Sequence, residues 1–379
     1  MRTFTRFTAL LLFLALTVLF VLPVRGSALA ADAPSAPPQT GASSAALLDV
    51  TGNRFLLLQN ADERRPMAST TKIMTALVVL ERAGMDEIVT VPPKAVGVEG
   101  SSIYLFAGEQ ITVRTLLYAL LLSSANDAAV ALACHTAGSV AEFAAWMNAR
   151  AAALGLQNTH FANPHGLHDE AHYTTARDLA LLARAALQNE VFAEIVRTAR
   201  YSAPQLGTGA TRLFCNHNKL LRIYEGAVGI KTGYTKKSGR CLVSAAMREG
   251  LTLVAVTLND GEDWRDHQAL FDWGFSAYTA FSPKGEAVSL PVVGGTAAAV
   301  DIIPATTLTV SLPRTHGEIT AVTEAPRFLF AGFAEGECVG QIVYYMDGKV
   351  LATLPLVTAE AVPRATRRGL LARLCRIFS

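Results

Sequence analysis

The chain of 379 residues is 51% hydrophobic and 17% charged, enough apolar material for one large core or two smaller ones. A net charge of +2 with histidine neutral is too balanced for a nucleic-acid-binding protein. The basic character is local: Arg364, Arg367, Arg368, Arg373 and Arg376 crowd the final stretch.

In chain order, Arg2 and Arg6 precede an apolar run from Ala9 to Val24, and Ala28-Leu29-Ala30 supplies a small-residue cleavage pattern. That layout predicts a secretory signal peptide over residues 1–30. A single membrane-anchoring helix is the alternative, for which the run is short. Export to the outer face of the cytoplasmic membrane or the cell wall is expected either way. "AALLDV" and "RFLLLQ" read as strands joined at Thr51-Gly52-Asn53. A helix from Ser69 to Ala83 stops at Gly84. Helices follow over 112–122 and 126–137, separated by "SSAN". Ser139 with Glu142 makes a capping-box start for another helix, which ends at Gly155. "TTARDLALLARAAL" is a further helix.

The character then changes. "GAVGIKTG", "RCLVSAAMRE" and "LTLVAVTLN" read as strands, and a helix runs from about Glu262 to Tyr278. Strands on both sides of a helical block predict an α/β (α+β) domain over 31–282 with a mostly antiparallel sheet. Its first hairpin must pair with the late strands. Short strands from Pro283 onward, with a hairpin signal at Asp347-Gly348, predict a small all-β sandwich over 283–357. Residues 358–379, ending in "RATRRGLLARLCRIFS", read as an amphipathic helix that lies on an anionic membrane surface. Such a helix is too short to span a bilayer. Docking on its own domain is the alternative. Five cysteines without a C-x-x-C signal neither a zinc knuckle nor a redox pair, and each reads as a small buried apolar residue.

Three short motifs carry chemistry. In "MASTTKIM", Ser69 and Lys72 share a helix face one turn apart. A serine hydroxyl needs a base, and a lysine can serve only when desolvation or a neighbouring cation keeps it neutral. Taken alone, Ser69 reads more readily as a helix cap and Lys72 as a solvated charge, because capping serines are common. Ser124-Ala125-Asn126 is a polar loop wedged between two apolar helices, and Lys231-Thr232-Gly233 ends an apolar strand. S-x-x-K, S-x-N and K-T-G in this order form the constellation of penicillin-recognising serine enzymes.

With these motifs the chain resembles the low-molecular-mass penicillin-binding proteins, the secreted serine-type D-alanyl-D-alanine carboxypeptidases of peptidase family S11. "NPHGL", "HYTTARDLA", the trailing β-domain and the amphipathic tail extend the resemblance over nearly the whole mature chain. Ala125 departs from the glycine usual there. The resemblance implies a penicillin-binding/β-lactamase-like fold for the first domain. It also implies that Ser69 attacks the penultimate D-alanine carbonyl, Lys72 accepts the proton, and Ser124 relays it to the leaving amine. Asn126 holds the peptide and the Lys72 ammonium. Lys231 keeps Lys72 neutral and, with Thr232, takes the substrate carboxylate. Gly233 admits substrate to the strand edge. Backbone N–H groups of Ser69 and Tyr234 form the oxyanion hole. Arg265 is the expected second carboxylate anchor; alternatively it is a solvated helix residue paired with Glu262 or Asp266.

Other constellations are weaker. His160, His165, His168, Asp169 and His172 lack H-E-x-x-H spacing, so neither a metal nor another cofactor is expected. No G-x-S-x-G elbow supports a Ser-His-Asp triad, and Asp127 reads as a helix N-terminal charge. The expected substrates are peptidoglycan stem pentapeptides, with β-lactams as acylating inhibitors. A DD-endopeptidase or β-lactamase on the same site and a non-catalytic lactam-binding module are the alternatives. The β-lactamase reading lacks an E-x-x-L-N stretch between Asn126 and Lys231.

Overall fold

The computed structural model describes residues 36–207 and 210–365. The expected signal peptide and the arginine-rich tail from residue 366 lie outside the described residues. The chain opens with β1 (Ser44–Asp49) and β2 (Arg54–Gln59), turned at Gly52, whose N–H donates to Asp49 Oδ1 at 2.7 Å. A single 3-10 turn, Ala68–Thr71, leads into α1 (Lys72–Arg82). A small ladder of β3 (Ile88–Thr90) and β4 (Gln110–Thr112) precedes α2 (Val113–Leu122), α3 (Asn126–Ala137) and α4 (Val140–Ala153). Next come α5 (Ala176–Leu187), α6 (Glu190–Arg197), the hairpin β5 (Arg200–Pro204) and β6 (Thr211–Cys215), and the short α7 (Leu220–Ile223). Three long strands, β7 (Ala227–Thr235), β8 (Gly239–Arg248) and β9 (Leu251–Leu258), and then α8 (Asp263–Ala277) complete the first domain.

Helix starts follow local chemistry. The Thr112, Ser139, Thr175 and Asn189 side chains each accept the N–H three residues on, as N-caps do. The five-stranded sheet has the order β2-β1-β9-β8-β7, antiparallel throughout, so the first hairpin does join the late strands. Every residue of β1 is buried because both faces of the sheet are covered. Ala46 and Leu48 enter the core shared with α1 to α6, while Ala45 and Leu47 meet Leu270 and Phe271 of α8. β2 and β7 are the two edge strands.

The second domain is all β. β10 (Tyr278–Phe281) is followed by β11 (Val288–Val293), β12 (Ala299–Pro304), β13 (Val310–Pro313) and β14 (Ile319–Glu324). β15 (Leu329–Phe330), β16 (Cys338–Met346) and β17 (Lys349–Thr358) complete it. Six strands form one sheet in the order β14-β16-β17-β12-β11-β15, and β10 pairs with β13. Phe281 packs edge-on to Tyr344 over a core of Leu290, Ile302, Ile342, Leu354 and Leu356.

Two segments extend past the residues expected to bound the second domain. β10 starts before residue 283 yet pairs within the second domain. At the other end, the chain beyond 357 stays on the sheet: Thr358 and Val362 are buried, and bridges join Val362 to Phe333 and Arg364 to Gly295. Apolar Val362 belongs to a satellite core with Val300, Ala331 and Phe333, which holds this segment down. The cysteines also depart from the uniform expectation. Cys241 is buried, Cys134 half-buried, and Cys215 and Cys338 are exposed; all four are free thiols. Both exposed cysteines sit at a strand terminus, Cys215 at the end of β6 and Cys338 at the start of β16.

Candidate active site

The site begins with a strained turn. Ala68 has φ 48°, in the left-handed region that L side chains rarely adopt. Its carbonyl accepts the Thr71 hydroxyl at 2.8 Å and is closely approached by Gly166, where a Cβ would stand 1.9 Å from that oxygen. This turn sets Ser69 at the helix entrance, with Lys72 three residues later at the start of α1.

Lys72 is fully buried. Its Nζ lies 2.9 Å from Ser69 Oγ and donates to Asn126 Oδ1 at 2.6 Å and to the His165 carbonyl at 2.7 Å. Three acceptors complete an ammonium's donor set. Even so, burial first, and then the charge of Lys231, push its pKa well below the ordinary lysine value, while Asp127 opposes the shift. Lys231 is also buried, donates to the Thr232 carbonyl at 2.9 Å, and is lowered by burial to about 7. Two lysines thus sit in the interior, and the charge of Lys231 disfavours that of Lys72.

Asn126 is locked from the far side: its Nδ2 donates to the Glu99 carbonyl at 2.6 Å and its N–H to the Ser101 carbonyl at 2.7 Å. Ser124, between α2 and α3, is 5% exposed and adopts φ 60°. Such strain in a buried serine is the kind that functional sites retain. Gly233 faces the turn: a Cβ there would stand 3.1 Å from both Ser69 N and Met67 O. Glycine therefore lets the edge strand β7 lie against the serine.

Ser69, Ser124, Thr232, Gly233 and Tyr234 line one cleft of about 530 Å³. Lys72, Asn126 and Lys231 form its buried backing. Arg265 is not among the lining residues. Its side chain is 70% exposed and lies 3.7 Å from Glu262 and 3.5 Å from Asp266, the solvated ion-pair arrangement. The arginine that does line the cleft is Arg240, from the β8 position opposite Tyr234. Asp263 holds it in a two-pronged pair at 2.7 and 3.1 Å, and Trp264 is beside it. α8 starts with Asp263 turned inward, which leaves Arg265 on the outer face.

Several contributors escape a reading of the sequence. Asp127 does more than face a helix start: its carboxylate accepts the Ser102 hydroxyl at 2.6 Å and the N–H groups of Ile103 and Leu105 at 3.1 Å. It thereby pins the loop beside the cleft. His217 lines the cleft, its pKa lowered by burial and then by Lys231. The histidine-rich loop supplies a backbone carbonyl, that of His165, and a buried imidazole, that of His172. Among the described residues no group of three or more His, Cys, Asp or Glu gathers as a metal site.

Known proteins share this arrangement of domains. The D-alanyl-D-alanine carboxypeptidase family model (peptidase S11) matches residues 30–262, and that of the penicillin-binding protein 5 C-terminal domain matches 275–364. D-alanyl-D-alanine carboxypeptidase DacF of Bacillus subtilis is 30% identical, with 86% of each chain covered. DacA of Escherichia coli is 32% identical over 88% of this chain and 86% of its own. The crystal structure of penicillin-binding protein 5 from Haemophilus influenzae superposes with a TM-score of 0.67 at 29% identity, covering 86% of this chain and 99% of that one. The Streptomyces K15 DD-transpeptidase gives 0.60 at 36% identity, covering 63% of this chain and 98% of its own. The chain is a serine-type hydrolase and belongs to the D-alanyl-D-alanine carboxypeptidase family, peptidase S11.

Proposed function

We propose that this chain removes the terminal D-alanine from peptidoglycan stem pentapeptides, with Ser69 as nucleophile and Lys72 as its base. The carrying observation is the 2.9 Å approach of Ser69 Oγ to the Nζ of a fully buried lysine whose pKa is driven down. Neutral Lys72 takes the hydroxyl proton as Oγ bonds to the penultimate carbonyl carbon. The tetrahedral oxyanion is held by the backbone N–H groups of Ser69 and Tyr234. The C–N bond then breaks, and D-alanine leaves with a proton relayed through Ser124. Water hydrolyses the ester, with Lys72 again accepting a proton.

Recognition follows from the cleft. The substrate adds along the free edge of β7, a mode that uses main-chain hydrogen bonds. Lys231 and Thr232 take its C-terminal carboxylate, and Arg240 supplies the second cation. β-Lactams acylate Ser69 because they present the same acyl group and carboxylate. We place the enzyme outside the cytoplasm, with the tail from residue 366 lying on the membrane and Arg367, Arg368, Arg373 and Arg376 on anionic headgroups.

The test is Ser69→Ala. D-alanine release from a pentapeptide and covalent labelling by a fluorescent penicillin should both disappear. Labelling that persists would place the nucleophile elsewhere.

A further inference from the structure

Where the second domain ends, it exposes an aromatic patch that the hydrolysis of a peptide does not use. In β15 the side chains alternate: Leu329 is packed toward the core, while Phe328 and Phe330 point outward and meet edge to face, 5.3 Å apart. Phe330 is 72% exposed and Phe328 45%. β15 pairs with β11 so that Phe330 stands opposite Val293, itself 48% exposed. Large apolar side chains gathered this way mark an interaction surface more often than isolated ones do.

The last described residues lie at the same place. The Ala365 N–H donates to the Gly294 carbonyl at 2.8 Å, next to Val293, and Arg364 Nε donates to the Ala331 carbonyl, next to Phe330. The amphipathic segment from residue 366 therefore starts at the border of the patch. Arg327 and Arg364 are both exposed at this end of the sheet. Glu335 and Glu337 flank Gly336 on the segment that is held to Thr358.

We propose that Phe328, Phe330 and Val293 form a second membrane contact, inserting into an anionic lipid surface beside the root of the tail. The inference rests on the proposed membrane binding of the tail. Charge decides the occupant. A tail folded back onto the patch would bring Arg367, Arg368, Arg373 and Arg376 against Arg327 and Arg364, like charge on like. Anionic headgroups neutralise both sets, with the rings in the acyl boundary. The second contact removes the swivel that one tail alone would leave, and so fixes the tilt of the second domain at the surface.

Vesicles containing phosphatidylglycerol and phosphatidylcholine test this with the full mature chain. Partial burial of two phenylalanines is worth at least about a tenfold change in partition. Phe328→Ser/Phe330→Ser should therefore sediment with vesicles at least about tenfold more weakly, with D-alanine release from a soluble peptide unchanged. Fluorescence of the Phe330→Trp variant should be quenched by brominated lipid, against a background from Trp146, Trp264 and Trp273 in the first domain. Unaltered sedimentation of the serine variant, or no added quenching in bound Phe330→Trp protein, overturns the second contact while leaving the tail reading intact. Failure of the unsubstituted chain to bind vesicles overturns both. Concentration-dependent dimerisation that is lost in the serine variant assigns the patch to a second copy and overturns the proposal.

Discussion

His172 Nε2 lies 2.7 Å from Thr71 Oγ1, and through that contact a loop far along the chain fixes the turn that presents Ser69. The Ala162 N–H donates to His172 Nδ1 at 3.0 Å, so the imidazole proton sits on Nε2 and points at Thr71. The Thr71 hydroxyl then donates to the Ala68 carbonyl at 2.8 Å, holding the left-handed residue next to the serine. His172→Phe keeps the bulk but leaves Thr71 without its donor, at a cost of about 1–3 kcal/mol. Penicillin acylation should slow roughly tenfold, and His172→Gln should recover part of the loss. Acylation at the original rate in the phenylalanine variant would remove His172 from the positioning of Ser69.

Three imidazoles, those of buried His172 and His267 and of half-buried His165, make stability pH-dependent. Burial lowers His172 to about 4, and His165 and His267 to about 3, each from 6.5. The unfolded chain therefore binds more protons in this range, and stability rises with pH. The contribution is complete above about pH 6.5 and is lost as pH falls toward about 4 for His172 and about 3 for His165 and His267, at roughly 3 kcal/mol or more per group. The urea midpoint should fall steadily from pH 7 to pH 5. A flat midpoint would show that these rings do not have to be neutral in the fold.

The charge of buried Lys231 helps to hold down the pKa of buried Lys72. Lys72 must be neutral to accept a proton, so penicillin acylation should decline as pH falls through its lowered pKa. Lys231→Met removes the neighbouring charge that depresses Lys72. The acid limb of the pH–rate profile should move to higher pH, whatever the variant loses in absolute rate. A limb that stays in place would leave burial alone responsible for the shift.

Arg240→Ala should raise KM for a D-alanyl-D-alanine peptide about tenfold, the scale of one charge-assisted contact. Arg265→Ala, on the outer face of α8, should change it little. Because Asp263 is 5% exposed and would be left unpaired, Arg240→Ala/Asp263→Asn is the cleaner variant. Equal effects of the Arg240 and Arg265 changes would place neither at the carboxylate.

What can be read from the residues is what local chemistry encodes. The Ser139 cap, the stop near Gly84 and the β1–β2 turn follow from side chains a few positions apart. So does the pairing of Ser69 with Lys72, since helical spacing alone brings them together. The remaining features depend on tertiary placement. The His165 carbonyl that holds Lys72 has no side-chain signature, because every residue carries a carbonyl. Arg240 and Arg265 are both arginines near the end of a late element, and only the inward turn of Asp263 separates them. Asp127 has the local signature of a helix-start charge, and only the return of the loop over 102–105 gives its carboxylate a second task.

The sheet order β2-β1-β9-β8-β7 places a timing constraint on the making of this enzyme. β1 pairs with β9, so Ala46 waits for Val256, some two hundred residues later. Until then β1, apolar on both faces, has no lasting partner but β2, and the helical block between has only half a sheet to pack on. Contacts this distant form slowly. Ser69 and Lys72 are neighbours on one turn, whereas Gly233 comes to Ser69 from β7, a strand held in the sheet through β8. A nascent chain interrupted before Leu258 should therefore be protease-sensitive and inert toward penicillin, although it already contains all three motifs. That outcome would make the order of synthesis a lock on the nucleophile, closed until the last strand is delivered.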